Sequence, residues 1–232
     1  MTKRLLFTAL LLFTLTTITK SQFYTSGEDP ASVRWQQINT QHFKLVFPST
    51  FSIEAQRFAS LLEKAYPFET YSLGYQLKPI TVIIHSKSSY SNGFVTWAPR
   101  RMEIFPTPHQ GTYAQDWLEQ LALHESRHLV QISSLNRGFT KFVGYLYGQM
   151  AVGAVAGAYI PMWYFEGDAT LTETLLSGSG RGRQPSFEME LRAQLMDKGR
   201  YSYDKAYLGS YADYVPNYYV MGYHLVTGAR QR

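Results

Sequence analysis

Apolar and polar residues alternate from Trp35 to Phe47, a period that predicts one or two strands ending at Pro48. The period then changes. Ile53, Phe58, Leu61, Leu62 and Ala65 recur at helical spacing and predict a helix from Ile53 to about Tyr66, stopped by Pro67. Pro79 to His85 is a β-branched run suited to a buried central strand, and Ser86 to Asn92 reads as loop. Gly93 to Phe105 reads as a strand or hairpin with Pro99, Arg100 and Arg101 at its bend. From Thr112 to Ser133 the helical period returns, with Trp117, Leu121, His124 and His128 on one stripe. Thr112 and Gln115 have capping-box spacing, Asp116 suits the first turn, and Asn136 and Gly138 close the segment. Strands first and helices afterwards predict an α+β architecture, with a β-rich lobe over about 35–110 and a helical lobe over about 111–232.

Phe142 to Ile160 carries no charge, and Gly and Ala recur through it. Composition alone allows a membrane span, but crossing ~30 Å of hydrocarbon would put His128 and Glu166 on opposite sides. The expectation is a buried helical hairpin of small residues. Pro161 then stands as the first residue of a helix reaching Glu173, and further helices are predicted at Phe187–Met196 and Val220–Val226. Ser177 to Pro185 is a Gly/Ser/Arg loop. Arg181, Arg183 and the Arg100–Arg101 pair are read as solvated loop charges, although such residues also suit an acidic substrate or proximity to a membrane surface.

Charge and composition narrow the classes. Lys3 and Arg4 precede an apolar run from Leu5 to about Ile18 that is too short to span a bilayer, with small residues Thr19 and Ser21 before Gln22. Residues 1–21 are therefore expected to be a secretory signal, leaving a domain at 22–232. Without Lys3, Arg4 and Lys20, the 22 basic residues fall to 19 against 17 acidic ones, and no basic run longer than two remains. Nucleic acid is not an expected partner. The chain has no cysteine, which excludes disulfides, a thiol nucleophile and a thiolate metal site. An exported protein without disulfides fits a bacterial periplasm or cell envelope, or secretion from it.

The candidate chemistry sits at His124-Glu125-Ser126-Arg127-His128, an H-E-x-x-H pattern on the predicted helix. Residues four apart share a helix face, so two imidazoles can bind one zinc ion while Glu125 handles the proton of a water. A third ligand must come from elsewhere. No histidine lies in residues 129–140, and the downstream carboxylates are Glu166, Asp168 and Glu173. Glu166 and Glu173 share one face of their helix, so Glu166 can ligate while Glu173 accepts the free N–H of a ligand histidine. Asp168 points elsewhere and is read as a solvated or capping acid. His42, His85, His109 and His224 are read as surface or core histidines.

Taken together, His124-Glu125-x-x-His128, Trp163-Tyr-Phe-Glu166-Gly167 and Glu173 resemble the gluzincin metallopeptidases, the clan of aminopeptidase N and thermolysin. They are more specifically similar to bacterial envelope proteins with an aminopeptidase-like peptidase MA domain, over about Trp35 to Val226. The resemblance implies a zincin-like fold, a peptide or protein substrate, and a tyrosine that stabilises the oxyanion. Tyr219-Val-Met-Gly222 matches that tyrosine's spacing, with Tyr218 and Tyr214 as alternatives. The Gly-x-Met-Glu-Asn segment with which exopeptidases hold a free amine is absent; Gly93 and Phe94 stand near where that substrate-binding strand would be. Edge-strand binding needs only backbone groups, so an endopeptidase is expected. The resemblance also suggests a TolB-like β-propeller beyond the apparent helix in which the sequence stops. The alternative expectation is a peptidase-like binding or assembly module of the envelope with little turnover.

Overall fold

The computed structural model describes residues 29–109, 111 and 114–231; the expected signal segment and the Thr112 cap lie outside them. Five strands form one mixed sheet: β1 (Trp35–Asn39), β2 (Phe43–Pro48), β3 (Ile80–Ile84), β4 (Ser91–Trp97) and β5 (Arg100–Pro106), in the order β1-β2-β3-β5-β4. β3 pairs in parallel with both β2 and β5, which makes the β-branched run the central strand. β1 and β4 pair antiparallel at the edges. The bend of the β4–β5 hairpin falls at Ala98 and Pro99, with Arg100 and Arg101 already in β5.

A helix interposed between β2 and β3, α1 (Ser52–Tyr71), makes their parallel pairing possible. α1 does not stop at Pro67, which lies inside it. The turn beyond the proline is held from outside the helix: Arg127 donates to the Glu69 carbonyl oxygen at 2.9 Å and to Ser72 Oγ at 2.8 Å. A cation on the last carbonyls of a helix offsets the hydrogen bond that the proline cannot make.

The motif helix is α2 (Trp117–Ser134), and its cap is Asp116, whose Oδ1 accepts the Glu119 N–H at 3.1 Å. The core lies between the sheet and α1 with α2: Phe43, Leu45, Val82, Ile84, Met102 and Ile104 meet Phe58, Leu62, Leu121 and Leu129. Beyond α2 come α3 (Gly138–Tyr147), α4 (Gln149–Tyr159), α5 (Met162–Leu176), α6 (Pro185–Lys198), α7 (Tyr203–Leu208) and α8 (Tyr218–Arg230). The protein is thus mixed α/β with a small sheet.

The uncharged segment forms the expected hairpin, α3 with α4, but the hairpin is not buried. α3 has no buried residue, and α4 buries only Val152 and Ala156. Small residues serve the hairpin's own contacts instead: a Cβ on Gly144 would meet Val152 Cγ2 at 2.6 Å, and one on Gly153 would meet the Trp97 ring at 3.0 Å. Among the described residues no helix is long and apolar enough to cross a membrane.

Candidate metal centre

α2 carries His124, Glu125 and His128, and α5 packs against it with Glu166 and Glu173. His124 Nε2 lies 3.2 Å from His128 Nε2 and 3.2 Å from Glu166 Oε2, and His128 Nε2 lies 3.4 Å from Glu166 Oε2. His124 and Glu166 are buried and His128 half-buried, and the three could hold a metal ion.

The other ring nitrogens are engaged. His124 Nδ1 faces Glu173 Oε2 at 2.9 Å, and His128 Nδ1 faces Gln131 Oε1 at 2.8 Å. The Gln131 orientation is fixed because its Nε2 donates to the Phe165 carbonyl oxygen at 3.0 Å and to Asp168 Oδ2 at 2.8 Å. Its Oε1 is therefore the atom facing His128, which makes Nδ1 the donor and turns Nε2 towards the cluster. At His124 Glu173 likewise accepts the Nδ1–H, and Nε2 faces inward.

Electrostatics follow from these contacts. Burial alone would raise the Glu166 carboxyl, but hydrogen bonds from His124 and His128 outweigh it and hold the group well below its usual range. Burial also works on Glu173, yet the Arg181 charge and the His124 hydrogen bond bring it down to about 2. Burial and the Arg181 charge press His124 downward, and the two carboxylates overcome them, taking it up to about 9. Glu125 behaves differently. Burial raises it, the two histidines only partly counter this, and its buried Oε2 has no hydrogen-bond partner.

Two residues read as solvated charges are nothing of the kind. Arg181 Nε donates to Glu173 Oε1 at 2.7 Å, and its Nη2 donates to Glu173 Oε2 at 2.9 Å. Asp168 is 1% exposed. It accepts from Arg127 Nε at 2.6 Å and from Gln131, and is paired with Arg230. Arg127 is itself fully buried, so a positively charged residue inside the motif ties α2 to both α1 and α5. Gln131 carried a weak sequence signal, three residues after His128 on the same face. Asp168 carried none, because its partner Arg127 lies 41 residues away, and Arg181 carried none, because nothing local marks Glu173, eight residues before it, as a buried partner.

The remaining predicted residues line one cleft. Asn92, Gly93, His124, Glu125 and Tyr219 border both a pocket of about 220 Å³, which also includes Arg181, and one of about 430 Å³ that continues towards Phe94, Trp97 and Phe165. Gly93 lies on β4, the edge strand, where a Cβ would meet Leu121 Cδ2 at 2.7 Å and Glu125 Cγ at 3.0 Å. Only glycine lets the strand pass this close to Glu125. Tyr219 lies beside Glu166 in the cleft, and burial together with the Glu166 charge raises its hydroxyl far above the usual range, so it stays protonated. Tyr218 stacks on it at 5.2 Å. Tyr214 is exposed and borders a different pocket, with Met189 and Tyr201. Among the other histidines, His109 borders the smaller cleft pocket, and His85 is buried between Asp29 and Glu103.

Comparison with models of known protein families gave no match, and neither did comparison with characterised proteins or with solved structures.

Proposed function

We propose that the protein is a zinc-dependent peptidase of gluzincin type that cleaves within peptide chains in the bacterial envelope. The observation that carries this reading is the cluster geometry. Ligands held tetrahedrally at zinc's usual distances of about 2.0–2.1 Å stand about 3.3 Å apart. The three sides of the His124–His128–Glu166 triangle are 3.2, 3.2 and 3.4 Å. Both rings turn Nε2 inward, where a metal would displace its proton, while their other nitrogen is engaged by Glu173 or Gln131, as a two-histidine, one-carboxylate site requires.

When bound, zinc supplies a Lewis acid and brings the pKa of a bound water towards neutrality. The chain's own residues do the rest. Glu125, buried, raised in pKa and free at Oε2, takes the proton of the attacking water and returns it to the leaving amine. Tyr219 keeps its proton and donates it in a hydrogen bond to the oxyanion. β4, an edge strand among the described residues, would supply N–H and C=O groups to an extended peptide, with Gly93 allowing the backbone to lie against Glu125 and Phe94 beside it.

The test is hydrolysis of an internally quenched peptide library by the zinc-loaded protein and by Glu125→Gln. Turnover that falls by about 10²–10⁴ in the variant, with zinc retained, is the expected result. A zinc-loaded, folded protein that cleaves no peptide would leave the binding or assembly module in its place.

A further inference from the structure

We infer that the α3–α4 hairpin is a docking surface for the interface of an anionic lipid bilayer. Five aromatic side chains stand exposed on it: Phe139, Phe142, Tyr145, Tyr147 and Tyr159. Phe142 is 59% exposed and Tyr145 88%. Leu146 and Met150 are exposed between them. α3 packs chiefly on α4, which in turn rests on Trp97, so the outer face of the hairpin has no partner within the described chain. Scattered apolar residues are ordinary on a surface; seven exposed large apolar residues concentrated on two short adjacent helices are not.

Charge selects the occupant. From Ser126 to Phe165 the sequence contains no Asp or Glu, so no carboxylate of this segment repels an anionic surface. Its exposed charges are basic. Lys141 has no carboxylate partner among the described residues, and Arg137 lies over the Tyr75 ring and donates to the Leu73 carbonyl oxygen. A protein partner would meet an apolar face with matching charges of either sign, whereas an exposed aromatic cluster whose own exposed charges are cations matches headgroups over acyl chains. Length fixes the depth. Helices of 10 and 11 residues are about 15–17 Å long, half of a ~30 Å hydrocarbon core, so the hairpin lies in one interface and does not span. Gly153 and Gly157 of α4 also border the larger pocket of the cleft, so docking would hold the cleft beside the lipid surface. The inference does not depend on the cleft being catalytic.

The experiment is cosedimentation of the full chain with vesicles of phosphatidylcholine alone and of phosphatidylcholine with phosphatidylglycerol, at low and high salt. The comparison proteins are the surface variants Phe142→Ser/Tyr145→Ser and Lys141→Glu, each checked for unchanged thermal unfolding. Expected are binding to the anionic vesicles that weakens with salt, and a loss of about tenfold or more in each variant. Failure of the folded protein to bind anionic vesicles, equal binding to both vesicle types, or binding unchanged in the variants would overturn it. So would concentration-dependent dimerisation that buries the hairpin and excludes vesicles.

Discussion

Gly167 and Gly222 meet backbone to backbone where α5 crosses α8. A Cβ on Gly167 would lie 2.2 Å from the Gly222 carbonyl carbon, and one on Gly222 would lie 2.1 Å from the Trp163 carbonyl oxygen. Each glycine is tied to a candidate site residue. Gly167 follows Glu166 directly, and Gly222 lies three residues, nearly one turn, after Tyr219. The contact of the two helices is therefore what brings Tyr219 and Glu166 to one pocket.

Gly222→Ala drives a methyl into backbone that cannot step aside, so the helices must separate. We expect a loss of about 3 kcal/mol in thermal or denaturant unfolding. Gly228→Ala, in the same helix with open space around it, is expected to stabilise by about 0.5–1 kcal/mol. Equal effects of the two substitutions would contradict the crossing.

Among the described residues, Gln131 is the only side chain holding His128 Nδ1, and α5 holds Gln131. Gln131→Ala should leave the fold cooperative and weaken metal binding by about 10–100-fold, measured by competition with a chelator. Unchanged affinity would mean that the His128 ring is oriented by packing alone.

Glu69 predicts a pH dependence. Both of its oxygens are buried without a hydrogen bond, and burial lifts its carboxyl to about 8, beyond what the Arg127 charge can offset. Between its unfolded value of 4.5 and about 8, the unfolded chain has released this proton and the folded chain has not. Its contribution therefore falls as pH rises through that window and is fully adverse above it. Glu69→Gln should be more stable than the parent, by an amount that grows from pH 5 to pH 8 towards ~4 kcal/mol at most. Parallel stability profiles for the two proteins would show that Glu69 ionises freely.

Much of this fold was readable as pattern. The β-branched run is the central strand, and the alternating and helical periods fall on β1, β2, α1 and α2. The cluster was readable because a helix fixes the relation of His124 to His128, and of Glu166 to Glu173, within a few residues. What could not be read depends on partners distant in sequence. Pro67 marks a helix end by local rules, and Arg127, from another helix, helps carry α1 past it. A charge such as Asp168 or Arg181 has the same local signature whether solvated or buried. The hairpin shows the converse limit: absence of charge at 142–160 suggested burial, but apolar composition does not specify what covers a surface.

His124, His128 and Glu166 are proposed to hold one zinc ion. Elemental analysis of the purified protein beside Glu166→Ala tests this most directly. About one zinc per chain is expected, lost or sharply weakened in the variant, since two histidines alone leave the site without its third ligand. A folded protein that takes up no zinc, or that holds it equally well without Glu166, would contradict the site.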